Sequence, residues 1–158
     1  MTKQAFVRED AKEMATILRS AACMARYNKI SHELLSELLV AIATNGEVVG
    51  GNNRGSDVLS PTHGKIEVKS RILGTDGPFP RISLKEHNLA KADWFAAVRW
   101  NPDFTLYDAV LLPKASAMNH YQQKRQSKGL AHIGWKDWAR DASAQSIREV
   151  CLSALAAL

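Results

Sequence analysis

Apolar positions recur at spacings of three and four through residues 8 to 26 (REDAKEMATILRSAACMAR), where Met14, Ile17, Leu18, Ala21, Ala22 and Ala25 form one stripe. That period predicts an amphipathic helix. Residues 31 to 44 predict a second, with Leu34, Leu35, Leu38, Leu39 and Ile42 as its apolar face. Ser31 offers an acceptor to the unpaired first amides, and Asn45-Gly46 closes the helix. Glu33 and Glu37 stand four apart on another side.

After Gly46 the period changes from 3.6 to 2. Strands are predicted over 47–49, 56–60 and 65–72, the last two joined through Pro61-Thr62-His63-Gly64 as a tight hairpin. GTDGPFP, 74 to 80, reads as a loop, and Ser83 to Lys91 as a short helix capped by Ser83. Strands 92–100 and 106–112 flank the turn Asn101-Pro102-Asp103, and a final helix over 143–157 is capped by Ser143. The stretch 65–100 is long enough for a crossover, which makes the third and fourth strands parallel. The fold class is therefore α/β, a central mixed sheet flanked by helices, in a single domain without internal repeat or linker.

Composition narrows the setting. A chain of 158 residues buries roughly two-thirds of its unfolded surface and needs no disulfide or metal to hold it together. Cys23 and Cys151 lack metal-ligand spacing and sit in apolar helical patterns, as buried free thiols do in a reducing compartment. The start, MTKQAFVRED, has no apolar leader region, and no apolar run is long enough to span a bilayer. The expectation is a cytoplasmic protein without a membrane partner. Lysine and arginine number 21 against 16 acids, a formal charge of +5. Between Lys114 and Lys136 lie five basic residues and no acid, either a solvated face or a phosphate-binding one.

The strand GKIEVKSR, 64 to 71, places Ile66 and Val68 on one face and Lys65, Glu67 and Lys69 on the other. A hairpin centred on Pro61 to Gly64 brings Asp57 opposite Val68 or nearly so, beside both Glu67 and Lys69. Two readings of this face are open. One is a half-exposed strand with a cross-strand salt bridge. In the other, Asp57, Glu67 and the Val68 carbonyl share a hard divalent cation, and Lys69 orients a water for phosphodiester hydrolysis. The Gly/Asn run GGNNRGSD delivers the aspartate to a strand start, and Glu37 stands on the helix before it.

The stretches ELLVA, GNNRGSD and GKIEVKSR resemble the PD-(D/E)XK nuclease superfamily over about residues 31 to 113. The resemblance implies a restriction endonuclease-like core with added N- and C-terminal helices (8–26 and the extension 114–158). Asp57 resembles the first metal aspartate, Glu67 the second acid and Lys69 the catalytic lysine. Glu37 resembles the additional helix glutamate, with Glu33 competing for that role, and Ser56 stands where the name-giving proline would be. The implied activity is Mg²⁺-dependent DNA cleavage, with Mn²⁺ as substitute. Arg54, Arg71, Lys124, Arg125 and Lys128 would neutralise phosphates. The alternatives are an RNA nuclease, or a catalytically silent nucleic-acid-binding or regulatory protein. The stripe on residues 14 to 25 either packs back on its own sheet or on the C-terminal helix 143–157, or forms a homodimer contact that would allow double-strand cleavage.

Other polar residues read more plainly. His63, His87, His120 and His132 fit surface roles, and Asp93 and Asp108 fit strand ends. Trp135 and Trp138 are expected to pack the C-terminal helix onto the sheet.

Overall fold

Ser31 opens the first helix as expected. Its Oγ accepts from the Leu34 amide at 3.2 Å, and the helix, α1, runs His32–Ala43. Asn45 takes a left-handed φ of 53°, and the Gly46 amide turns back onto the Ala41 carbonyl at 2.8 Å. The computed structural model describes residues 31–49, 56–74, 79–126 and 128–157, with positions 8, 13 and 17, which are helical. Two units are distinguished, Met1–Ile30 and Ser31–Leu158, and the second carries the fold below. Apart from those three positions, the predicted helix 8–26, with Cys23 and the proposed dimer stripe, lies outside the described residues.

The remaining elements are β1 (Glu47–Val48), β2 (Val58–Ser60), β3 (Gly64–Ile72), β4 (Ile82–Lys85), α2 (Glu86–Leu89), β5 (Trp94–Trp100) and β6 (Leu106–Pro113). Then follow α3 (Lys114–Lys124), β7 (Arg125–Gln126), β8 (Leu130–Ile133), α4 (Trp135–Ala139), β9 (Gln145–Ser146) and α5 (Arg148–Ala156). Among the described residues a six-stranded sheet runs in the order β1-β2-β3-β5-β6-β9. Its β3 and β5 are parallel and its other pairs antiparallel, so the fold is α/β with a mixed central sheet. A second, three-stranded sheet has the order β4-β8-β7. Among the described residues no helix is long and apolar enough to cross a membrane.

Alternation along β5 builds two cores. Ala96, Val98 and Trp100 join Ile66, Ala109 and Leu111 beneath Leu39 and Val40 of α1 and Cys151 of α5. Phe95 and Ala97 join Val110 and Leu112 against Ile82 and Leu84 of β4, Ile133 of β8 and Trp138 of α4. Glu67 and Lys69 pair with Phe95 and Ala97 in the parallel register, so they belong to this second face, away from α1.

Several expectations are corrected. Ser83 caps no helix: Ile82 and Leu84 are buried while Ser83 and Lys85 are not, so the segment keeps a period of 2 and pairs as β4 with β8. The helix is confined to Glu86–Leu89. In α1 the buried face includes Ser36, Glu37, Val40 and Ala41, and Ile42 is 51 % exposed. The last helix starts at Arg148 rather than 143, because Gln145 and Ser146 pair with Leu111 and Val110 at the sheet edge. Trp138 anchors its own short helix, donating from Nε1 to the Val110 carbonyl at 3.2 Å, on the face opposite α5.

Candidate functional site

The hairpin register pairs Val58 with Ile66 and Ser60 with Gly64, one residue from the pairing expected of Asp57 with Val68. Asp57 lies just ahead of β2, and its amide also donates to the Ile66 carbonyl, at 2.9 Å. Asp57 and Val58 thus both face Ile66, the two-against-one arrangement of a β-bulge, which re-aims a side chain. Asp57 Oδ2 accepts from the Val68 amide at 2.7 Å. Asp57 thus reaches Val68 by its side chain on a main-chain amide rather than by register pairing.

Glu67 and Lys69 project from the same face of β3, and Lys69 Nζ lies 2.7 Å from Glu67 Oε1. Asn88 of α2 donates its Nδ2 to the same oxygen at 3.1 Å. Both members of the pair are largely withdrawn from water, 26 % exposed for the lysine side chain and 12 % for the glutamate. Main-chain direction alternates along β3. Lys65 receives the Asp93 amide on the β5 side, whereas the Ile66 carbonyl and Val68 amide face β2. The Val68 carbonyl shares that side, at a level where β2 has not yet begun. Asp57, Glu67 and this carbonyl are all oxygen donors, two of them carboxylates, the number and hardness that suit a Mg²⁺ ion keeping several waters.

Glu37 and Glu33 are told apart by burial, since Glu37 is 7 % exposed within α1 and Glu33 lies on its exposed side. Among the described residues no group of three or more His, Cys, Asp and Glu side chains gathers so as to hold a metal ion, so Glu37 does not form such a group with Asp57 and Glu67. Arg54 lies outside the described residues. Arg71 is exposed at the far end of β3, and Lys124, Arg125 and Lys128 are exposed around the β7–β8 hairpin. That hairpin is tied to the acid-lysine pair through α2: the Glu86 amide donates to the Gly129 carbonyl at 2.9 Å, and Asn88 reaches Glu67.

Two contributors went unnoticed in the sequence. Asn88 carries no charge to announce it. Arg99 interrupts the apolar strand WFAAVRW and is fully buried. Its Nη1 donates to the carbonyls of Lys69 at 3.2 Å and Val98 at 3.1 Å, and its Nη2 to that of Arg81 at 3.4 Å. The guanidinium lies 5.3 Å from the Trp135 ring, and Nε has no hydrogen-bond partner among the described residues. Burial, with Arg71 adding repulsion, lowers its pKa to about 10.

All of these histidines but His87, and both strand-end aspartates, have structural partners among the described residues. His63 bonds Thr62 at 2.7 Å and Gln145 at 3.0 Å. His120 bonds Asp141 at 2.7 Å and His132 bonds Ser83 at 2.9 Å, while His87 is exposed. Asp93 takes the Lys65 amide at 2.9 Å, and Asp108 the amide of Ala109 at 2.8 Å.

No protein-family model matches this chain, and no curated protein sequence matches it either.

Proposed function

We propose that the chain is a metal-dependent nuclease of the PD-(D/E)XK kind, with a restriction endonuclease-like core, hydrolysing phosphodiester bonds in DNA. The observation that carries the reading is the bulge at Asp57, which brings a second carboxylate to Val68, between the paired Glu67 and Lys69. A simple surface ion pair needs no such bulge. Asp57, Glu67 and the Val68 carbonyl would hold Mg²⁺, or Mn²⁺ in its place; bound there, the ion supplies Lewis-acid stabilisation of charge developing on the phosphate. Lys69 holds the attacking water by its ammonium and is itself steered by Glu67, which Asn88 fixes in turn. A homodimer through the predicted helix 8–26 would let two such sites cut both strands.

The test is incubation with supercoiled plasmid, linear duplex, branched DNA and RNA, each with and without Mg²⁺. Cleavage is expected with Mg²⁺ or Mn²⁺. Asp57→Asn, Glu67→Gln and Lys69→Ala should each lower it by roughly 10²-fold or more while remaining folded. Folded single variants with unaltered cleavage would remove the mechanism. A wild-type chain that binds DNA but cuts nothing would be the silent binding protein instead.

A further inference from the structure

At one end of the second face stands a group of aromatic and arginine side chains that hydrolysis itself does not require. The β5–β6 register slips there. Arg99 pairs with Asp108 and Trp100 with Leu106, which leaves Tyr107 as the extra residue of a β-bulge, 43 % exposed. Phe79, 37 % exposed, lies 5.4 Å from Tyr107 and 5.7 Å from Trp135 between ring centroids. Leaving rings of this size partly at the surface forfeits a fraction of the roughly 1.5–3 kcal/mol that full burial of such a side chain brings.

Arginines are linked to this end of the face. Arg99 lies against Trp135 and holds the Arg81 carbonyl, Arg71 is its register partner on β3, and Arg148 donates to the Tyr107 carbonyl at 2.9 Å. Arg148 is paired with Glu149, and Asp108 accepts the Ala109 amide. Among the described residues no carboxylate forms an ion pair with the exposed Arg71 or Arg81. Like charges on adjacent strands repel. Asp108, the register partner of Arg99 on β6, offsets part of this charge, and an added anion beside Arg71 and Arg81 would offset more.

We infer that this surface binds unpaired nucleotides, with bases stacked on Phe79 and Tyr107 and the flanking phosphates held by Arg71 and Arg81. In an intact duplex the π-faces of the bases are hidden in their own stack, so an exposed aromatic platform selects a single strand or a splayed end. Arg71 follows Lys69 by two strand residues, about 7 Å, and Arg99 joins the Lys69 carbonyl to Arg81. The unpaired stretch therefore adjoins the phosphate that Lys69 would serve. This inference rests on the proposed nucleic-acid substrate and narrows it to DNA with an unpaired segment beside the cut.

Fluorescence anisotropy of the full chain in Ca²⁺ tests it, with a labelled 20-nucleotide single strand and its duplex as probes across a salt series. The single strand should bind at least tenfold more tightly than the duplex. Phe79→Ala with Tyr107→Ala should weaken single-strand binding by about 10- to 100-fold, leaving the salt slope and duplex binding unchanged. Phe79→Leu with Tyr107→Leu, which keeps apolar bulk without a π-face, should behave the same and guards against a folding defect. Arg71→Gln with Arg81→Gln should lower the single-strand slope by up to about 1.4. Equal losses on both probes, no loss, or no single-strand preference in the wild type would overturn the inference. Cleavage without this preference leaves the nuclease reading standing; the preference without cleavage sinks that reading and keeps this one.

Discussion

Cys151 Sγ is fully buried, 4.0 Å from the Leu39 carbonyl, and burial pushes its thiol up to about 11. Between pH 9 and that value the folded chain keeps a proton that the unfolded chain releases, so this group's contribution to stability is complete below pH 9.0 and is lost as pH rises towards about 11. Only the thiolate alkylates. In a Cys23→Ser background at pH 8, iodoacetamide should label Cys151 roughly 100-fold more slowly in buffer than in denaturing urea, two pKa units being a factor of that size. Rapid labelling in buffer would mean the α1–α5 seam opens freely. The same burial that silences Cys151 explains what single residues disclosed in the sequence. Glu67 and Lys69 were legible because strand alternation exposes a charge on the wrong face. Asn88 and Arg99 were not, since their roles exist only once α2 and β5 have been placed over and beside β3.

At the level of elements, the β2–β3 hairpin depends on its last turn residue. Gly64 has a φ of 71°, and a Cβ there would run into Asp93 Oδ2, the acceptor of the Lys65 amide. Gly64→Ala therefore forces both a left-handed alanine and the displacement of that carboxylate. A loss of about 1–3 kcal/mol is expected in urea denaturation. A loss under about 0.5 kcal/mol would show that the turn relaxes into another type. The hairpin, α1 and the β5–β6 pair were legible because each combines a clear period with a marked end. β4 and β9 were not: a four-residue strand starting at Ile82 and a two-residue one at Gln145 carry too little pattern to outweigh an adjacent Ser that also suits a helix cap. Tertiary pairing with β8 and β6 decided them.

In the Ser31–Leu158 unit as a whole, the small sheet acts as a bracket over the polar face of β3. At one end Arg81 meets Arg99 and through it the Lys69 carbonyl; at the other α2 meets Glu67 and the β7–β8 hairpin. β4 spans the distance with four residues, about 13 Å. A strand of nucleic acid crossing the Glu67–Lys69 pair would thus meet the aromatic platform on one side and Lys124, Arg125 and Lys128 on the other. If those three exposed cations take phosphates, changing all three to glutamine should weaken duplex binding. It should also reduce the slope of log affinity against log salt by up to about 3, at roughly 0.9 for each phosphate no longer neutralised. Removing the platform rings should leave that slope alone, because stacking releases no counterions. The two ends are then separable in one titration. A triple variant with the wild-type slope would make the hairpin a solvated surface and leave the platform as the sole grip beside the cut.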